Sequence, residues 1–107
     1  MIFNGSQRAR ISSHERYCRT AFSQARGLMF RRKQNLIMEF PKEKRVSLHM
    51  LFVFFPIDVL LLNSKKEIVE IKRGFQPFSF WRSMKEGKYV VELAFPGEYV
   101  VREVLEF

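Results

Sequence analysis

Apolar and polar residues alternate along several stretches of this chain with the period of two that sets successive side chains on opposite faces of a β-strand. Residues 88–95 show it most cleanly, with Tyr89, Val91, Leu93 and Phe95 on one face, Lys88 and Glu92 on the other, and a Pro96-Gly97 turn beyond. Residues 46–55 start the same way. Val46, Leu48, Met50, Phe52 and Phe54 share a face, while Ser47 and His49 open the other face before Leu51, Val53 and Phe55 make it apolar. This pattern predicts a strand that begins half-exposed and ends buried on both sides. Pro56 then marks a bulge or break, because it cannot donate to a strand ladder. Residues 57–62 follow as a nearly all-apolar strand with one acid, Asp58. A polar turn at 63–66, a strand at 67–72 and Arg73-Gly74 at its end complete a hairpin.

The remaining segments are read from weaker signals. Residues 36–40 form a short strand closed by turn chemistry at Pro41-Lys42-Glu43-Lys44, and residues 99–107 form the last strand. The aromatic run FQPFSFWRS at 75–83 is interrupted by Pro77 and reads as an irregular segment or edge strand over the core. Near the start, TAFSQARG at 20–27 supplies an N-cap, helix formers and a terminating glycine, which predicts one short helix. Residues 1–17 show no period and mix Gly, Ser and Arg, as in a loosely packed arm. Strands about ten residues apart point to an all-β architecture, a mainly antiparallel sandwich or distorted barrel with one short N-terminal helix.

Composition bounds this picture. A chain of 107 residues has the size of one domain, expected here over 18–107 behind a basic arm at 1–17. With 47% hydrophobic residues, among them 12 Phe, it can build a core. The net charge of +8 is lopsided: the first 45 residues hold 11 Lys and Arg against 3 acids, and the rest hold 8 against 8. No continuous apolar stretch follows the basic start, so a cytoplasmic chain is expected. The apolar region at 46–62 contains Ser47, His49, Pro56 and Asp58, which argues against a membrane span. Cys18 is the single cysteine, so no intrachain disulfide or cysteine-rich metal site is expected.

Several of these segments together carry a resemblance. The run RGLMFR at 26–31, His49-Met50 leading through FVFFPIDVLLLN, then Ile68-Val69-Glu70-Ile71, Tyr89-Val90-Val91-Glu92-Leu93 and Pro96-Gly97 are similar to the small prokaryotic proteins grouped as domain of unknown function 192. The resemblance spans about residues 19–107. It implies a compact, mainly-β fold with a small helix near the start, and it implies no settled activity, cofactor or catalytic residue. The chain departs from the family pattern after Pro96-Gly97. It lacks the short extra segment and carries Arg102-Glu103 where relatives usually have a Gly-Asp turn.

Candidate chemistry is sparse. Asp58 lies between Ile57 and Val59, where an unpaired carboxylate would cost several kcal/mol, so an arginine clamp with Arg31 or Arg26 is the expected arrangement. His49 is a pocket candidate, but no second His or Cys stands at ligand spacing, so no metal is expected. A His49/Asp58 dyad requires the Pro56 break to fold the chain back. No phosphate loop, dinucleotide fingerprint or paired-carboxylate signature appears, and no cofactor is expected. Arg31, Arg32 and Lys33 are candidates for binding an anion, whereas no RNP-like motif marks a nucleic-acid protein. Phe78, Phe80 and Trp81, with Phe75, form an aromatic group that more often serves as core cover or a protein contact than as a stacking platform. The expected function is a small non-catalytic binding or accessory module for an anionic partner. The alternatives are a protein-interaction module using residues 75–82 and an enzyme with a His49/Asp58 pocket.

Overall fold

The computed structural model describes residues 2–12, 15–18, 35–49, 55–94 and 97–107. Eight strands occur among them: β1 (Ile2–Asn4), β2 (Ala9–Ser12), β3 (Glu15–Cys18), β4 (Asn35–His49), β5 (Ile57–Leu62), β6 (Ile68–Phe75), β7 (Phe80–Leu93) and β8 (Leu105–Glu106). They form a five-stranded sheet in the order β3-β4-β7-β5-β6 and a three-stranded sheet in the order β2-β1-β8. Every pairing is antiparallel except that of β3 with β4. The described residues are all-β. The short helix expected at 20–27 lies outside the described residues.

Strand alternation divides the core in two. Leu36, Met38, Phe40, Val59, Leu61 and Val90 pack in one apolar cluster, and Ile37, Leu60, Leu62, Tyr89, Val91 and Leu93 in another. Alternate residues of a strand point to opposite faces, so the five-stranded sheet is buried on both sides. That is why all six residues of β5 are buried and why its sequence reads as continuous rather than alternating apolar. Ile2, Tyr99 and Leu105 belong to the second cluster, which brings the three-stranded sheet and the C-terminal segment onto that face. Burial on both faces also corrects the placement of Glu92. Alternation in 88–95 implied a wet face for it, but it is buried together with Val90.

Three segments differ from the reading of the sequence. Residues 41–44 are not a turn between strands, because β4 runs through them and pairs with β7 on both sides. Between Glu39↔Tyr89 and Lys44↔Gly87 the strand carries extra residues, and this bulge accommodates Pro41 without breaking the pairing. Phe80–Ser83 opens β7 at the centre of the sheet, and Pro77 sits in the turn before it. A second irregularity, between Arg45↔Glu86 and Ser47↔Arg82, adds residues to β7. Ser83 serves that bulge by accepting the Val46 amide at 2.8 Å and donating to the Lys85 carbonyl at 2.8 Å. The Glu70 carboxylate meanwhile accepts the amides of Met84 and Lys85. The last strand shrinks to β8, since Arg102 adopts a positive φ of 81° and turns the chain.

At the N-terminal end, the segment expected to be a loose arm carries β1, whose Ile2 and Asn4 are fully buried. Asn4 Nδ2 donates to Glu103 Oε1 at 3.1 Å, and Asn4 Oδ1 accepts the amides of Ser6 and Gln7. The expected hairpin is present. Asn63 Oδ1 accepts the amides of Lys65 and Glu67, and the Asn63 carbonyl accepts the Lys66 amide at 2.9 Å.

Candidate functional site

Asp58 sits where β6 bulges against β5. Ile57 pairs with Phe75 and Val59 with Lys72, so β6 carries one residue more than β5 between these pairs. Gly74 takes the positive φ of 59° that such a bulge requires. Its amide turns to Asp58 Oδ1 at 2.9 Å. The other carboxylate oxygen accepts the Tyr99 hydroxyl and the Arg73 Nη1 at 3.4 Å. Arg73 Nη2 in turn donates to the Tyr99 carbonyl at 2.9 Å, and its guanidinium lies 4.5 Å from the centre of the Tyr99 ring. The result is a closed clamp joining β5, β6 and the C-terminal segment.

The clamp is already saturated. Asp58 is buried and accepts three donors, while Arg73 is half-exposed. Burial, the hydrogen bond to Asp58 and the charge of Asp58 push the Tyr99 phenol well above its ordinary range. Tyr99 therefore holds its proton at neutral pH and donates it to Asp58.

Glu92 is the second buried carboxyl, and burial raises it from 4.5 to about 7. It pairs across the sheet with Leu36 and Val59, whose side chains belong to the first cluster. Asp58 contacts Tyr99 of the second cluster. The two carboxyls consequently lie on opposite faces of one sheet and cannot share a substrate as an acid–base pair.

The remaining sequence candidates distribute as follows. Asp58 finds its cation in Arg73. Arg26, Arg31, Arg32 and Lys33 lie outside the described residues. His49 pairs by backbone register with Phe80, and Asp58 with Leu93, at the other end of β7, so β7 does not bring His49 and Asp58 together. Among the aromatics, Trp81 packs against the first cluster and meets Phe75 edge-to-face at 6.4 Å. Phe78 and Phe80 face outward.

Reading of the sequence missed Arg73 and Tyr99 as the partners of Asp58. Counting outward from the 63–66 turn sets residues 70–72 opposite 57–59, and only the two register shifts of the β5–β6 pair bring Arg73-Gly74 against Asp58. Tyr99 reaches the clamp through tertiary packing and left no local signal. A second missed feature is a run of exposed cations on paired segments: Lys42, Lys44 and Arg45 of β4, and Arg82 and Lys85 of β7. Arg45 Nε donates to the Ser83 carbonyl at 3.0 Å, which fixes that guanidinium against β7. Lys44 Nζ lies 4.4 Å over the Phe40 ring.

These features define an all-β protein with a closed carboxylate clamp and a cationic stretch along its central strands. The model of a family described as "Uncharacterized ACR", domain of unknown function 192, matches residues 4–102, and the chain belongs to that family. A UPF0127 protein of Thermococcus sibiricus is 38% identical over 77 residues, covering 68% of this chain and 49% of that protein. A UPF0127 protein of Pyrococcus furiosus is 42% identical over 69 residues, covering 62% of this chain and 59% of that protein. The chain thus spans about half to three fifths of the length of these curated relatives.

Two solved structures share the fold. One is a candidate transcription regulator from Sinorhizobium meliloti, with a TM-score of 0.81 at 21% identity, covering 98% of this chain and 88% of that one. The other is a protein of unknown function from Novosphingobium aromaticivorans, with a TM-score of 0.80 at 17% identity, covering 99% and 81%. At these identities the likeness is one of fold alone. No helix among the described residues is long and apolar enough to cross a membrane.

Proposed function

We propose that the protein is a small non-catalytic binding module whose anionic partner lies along the exposed part of β4 and β7, at residues 42–45 and 82–85. The observation that carries this reading is the exposure of Lys42, Lys44, Arg45, Arg82 and Lys85 on strands that pair with each other. Among the acids nearby, Glu86 of β7 is exposed opposite Arg45 in the register, so the cations outnumber but do not stand apart from negative charge, and two others are committed. Glu43 accepts the Ser64 amide at 2.7 Å, a bond that lowers its pKa, and Glu70 caps the amides of Met84 and Lys85. Cations exposed along two paired strands attract a polyanion through counterion release. Arg31, Arg32 and Lys33 are further candidates for the same partner. The saturated clamp at Asp58 and the separation of Asp58 from Glu92 support a role without catalysis. The two sheets, sharing the second apolar cluster, are read as a distorted sandwich that presents this surface.

Heparin serves as the probe. Its affinity, followed by calorimetry, is expected to fall steeply between about 50 and 200 mM salt, and the variant R45E/R82E is expected to weaken it about tenfold or more. An affinity indifferent both to salt and to R45E/R82E would overturn the reading.

A further inference from the structure

We propose that the bulge of β7 at 83–85 is a carboxylate-binding cradle that Glu70 occupies from within the chain, and that an acidic polypeptide docks by taking the place of Glu70. This inference rests on the anionic-partner reading and names the class of that partner. Met84 and Lys85 turn successive amides to one oxygen, Glu70 Oε1, at 2.9 and 2.8 Å, and Glu70 Oε2 also accepts the Met84 amide, at 3.2 Å. Two consecutive N–H groups aimed at one point form a concavity that favours an anion. These bonds lie at the exposed surface, and Glu70 reaches them from β6, a strand that does not pair with β7.

The cradle is shaped from the side of β4 and not by its occupant. Ser83 is fully buried, and its hydroxyl accepts the Val46 amide and donates to the Lys85 carbonyl, both at 2.8 Å. That hydroxyl ties the bulge to β4 and closes it around Met84. Arg45 Nε donates to the Ser83 carbonyl at 3.0 Å. This carbonyl and the Met84 amide belong to one trans peptide unit, whose C=O and N–H point in opposite directions. A guanidinium on the oxygen side polarises the unit and strengthens its N–H as a donor on the other side. Withdrawal of Glu70 consequently leaves a formed, hydrated anion seat.

The geometry selects the occupant. The seat is drawn around a carboxylate, with one oxygen taking both amides and the other taking one, and an acidic side chain of another polypeptide reproduces the same bonds. Arg82 and Lys85, exposed on the same stretch, offer charge to further acids of that polypeptide, and the Met84 side chain, 83% exposed, offers it an apolar contact. A sulfated polysaccharide brings no apolar side chain to Met84, and a phosphate diester brings tetrahedral oxygens in place of the planar pair. A second copy of this chain carries the same +8 and is repelled. Glu70, tethered in the same chain, competes with the incoming acid at high effective concentration. The apparent affinity is therefore reduced by the fraction of molecules in which the seat is open.

The test uses polyglutamate, oligodeoxythymidine and heparin as probes of the full chain. Glu70→Ala is expected to tighten polyglutamate binding about fivefold or more, because it vacates the seat. Glu86→Ala removes the same charge from the exposed part of β7 without touching the cradle and is expected to tighten it less than about twofold. Glu70→Gln and Glu86→Gln repeat the comparison with the side-chain shape kept, and E70Q is expected to gain more than E86Q. In amide NMR spectra, Met84 and Lys85 should move upfield in E70A and return downfield as polyglutamate is added. Gains from E70A and E70Q no larger than those of their Glu86 counterparts, or Met84 and Lys85 amides that polyglutamate leaves unmoved, would overturn the cradle; salt-dependent heparin binding would then leave the anionic-partner reading intact. A larger gain for oligodeoxythymidine than for polyglutamate in E70A would overturn the acidic polypeptide in favour of a phosphate-bearing strand. Binding of none of the three probes would remove both readings.

Discussion

Asp58 occupies the position of β5 that faces the extra residue of β6, and this explains why an acid is tolerated in an otherwise apolar strand. The bulge leaves the Gly74 amide without a ladder partner, and the carboxylate accepts it. Asp58→Ala would orphan that amide and the buried Tyr99 hydroxyl, each worth about 1–3 kcal/mol. A loss of about 3 kcal/mol in urea unfolding is expected. Arg73 is half-exposed, where solvent screens its charge, so Arg73→Ala is expected to cost less than about 1 kcal/mol. Equal losses for the two variants would show that the ion pair, and not the neutral donors, holds the clamp. The need of Asp58 for partners was legible from its apolar neighbours. The identity of the arginine was not, because Arg73-Gly74 resembled the end of a strand when it is a bulge within one.

β7 organises the molecule at the level of elements, pairing with β4 on one side and β5 on the other. Its second half was legible from strict alternation. Its first half was not, since Pro77 and the aromatic run made 75–83 look irregular, and two bulges interrupt the pairing with β4. Bulges are satisfied by distant side chains, here Ser83 and Glu70, and a local pattern does not disclose them. Between the halves lies Gly87, where β7 passes close to β5. A Cβ there would stand 2.4 Å from Leu61 Cδ1 and 2.8 Å from the Leu62 carbonyl oxygen. The side chain can move, but the backbone oxygen belongs to a fully buried strand. Gly87→Ala is therefore expected to cost about 1–3 kcal/mol, measured by chemical denaturation. A neutral outcome would mean that β5 and β7 can separate locally without loss.

Across the whole molecule, burial of both sheet faces places two carboxyls in opposed electrostatic settings. Burial alone pushes Glu103 up, but the Val100 amide and the side chains of Asn4 and Gln7 outweigh it and hold the group below its ordinary value. A carboxyl lowered in this way contributes stability above its unfolded pKa and loses that contribution as pH falls through the folded value. Glu92 acts in the other direction. Between the ordinary 4.5 and about 7 the folded state binds more protons at this site than the unfolded chain, so stability declines as pH rises through that window and levels off above it. The decline is worth about 3 kcal/mol. Stability of the wild type should consequently peak near pH 5, roughly, where Glu103 is ionised and Glu92 is still protonated. Glu92→Gln keeps the shape and removes the ionisation. Urea unfolding across this range should show the variant more stable than the wild type by about 3 kcal/mol at roughly pH 8 and nearly equal at roughly pH 4. A wild-type profile that is flat between about pH 5 and 8, and a variant that follows it, would show that Glu92 ionises in the folded protein as it does in water, against the dry environment that the two-faced sheet gives it.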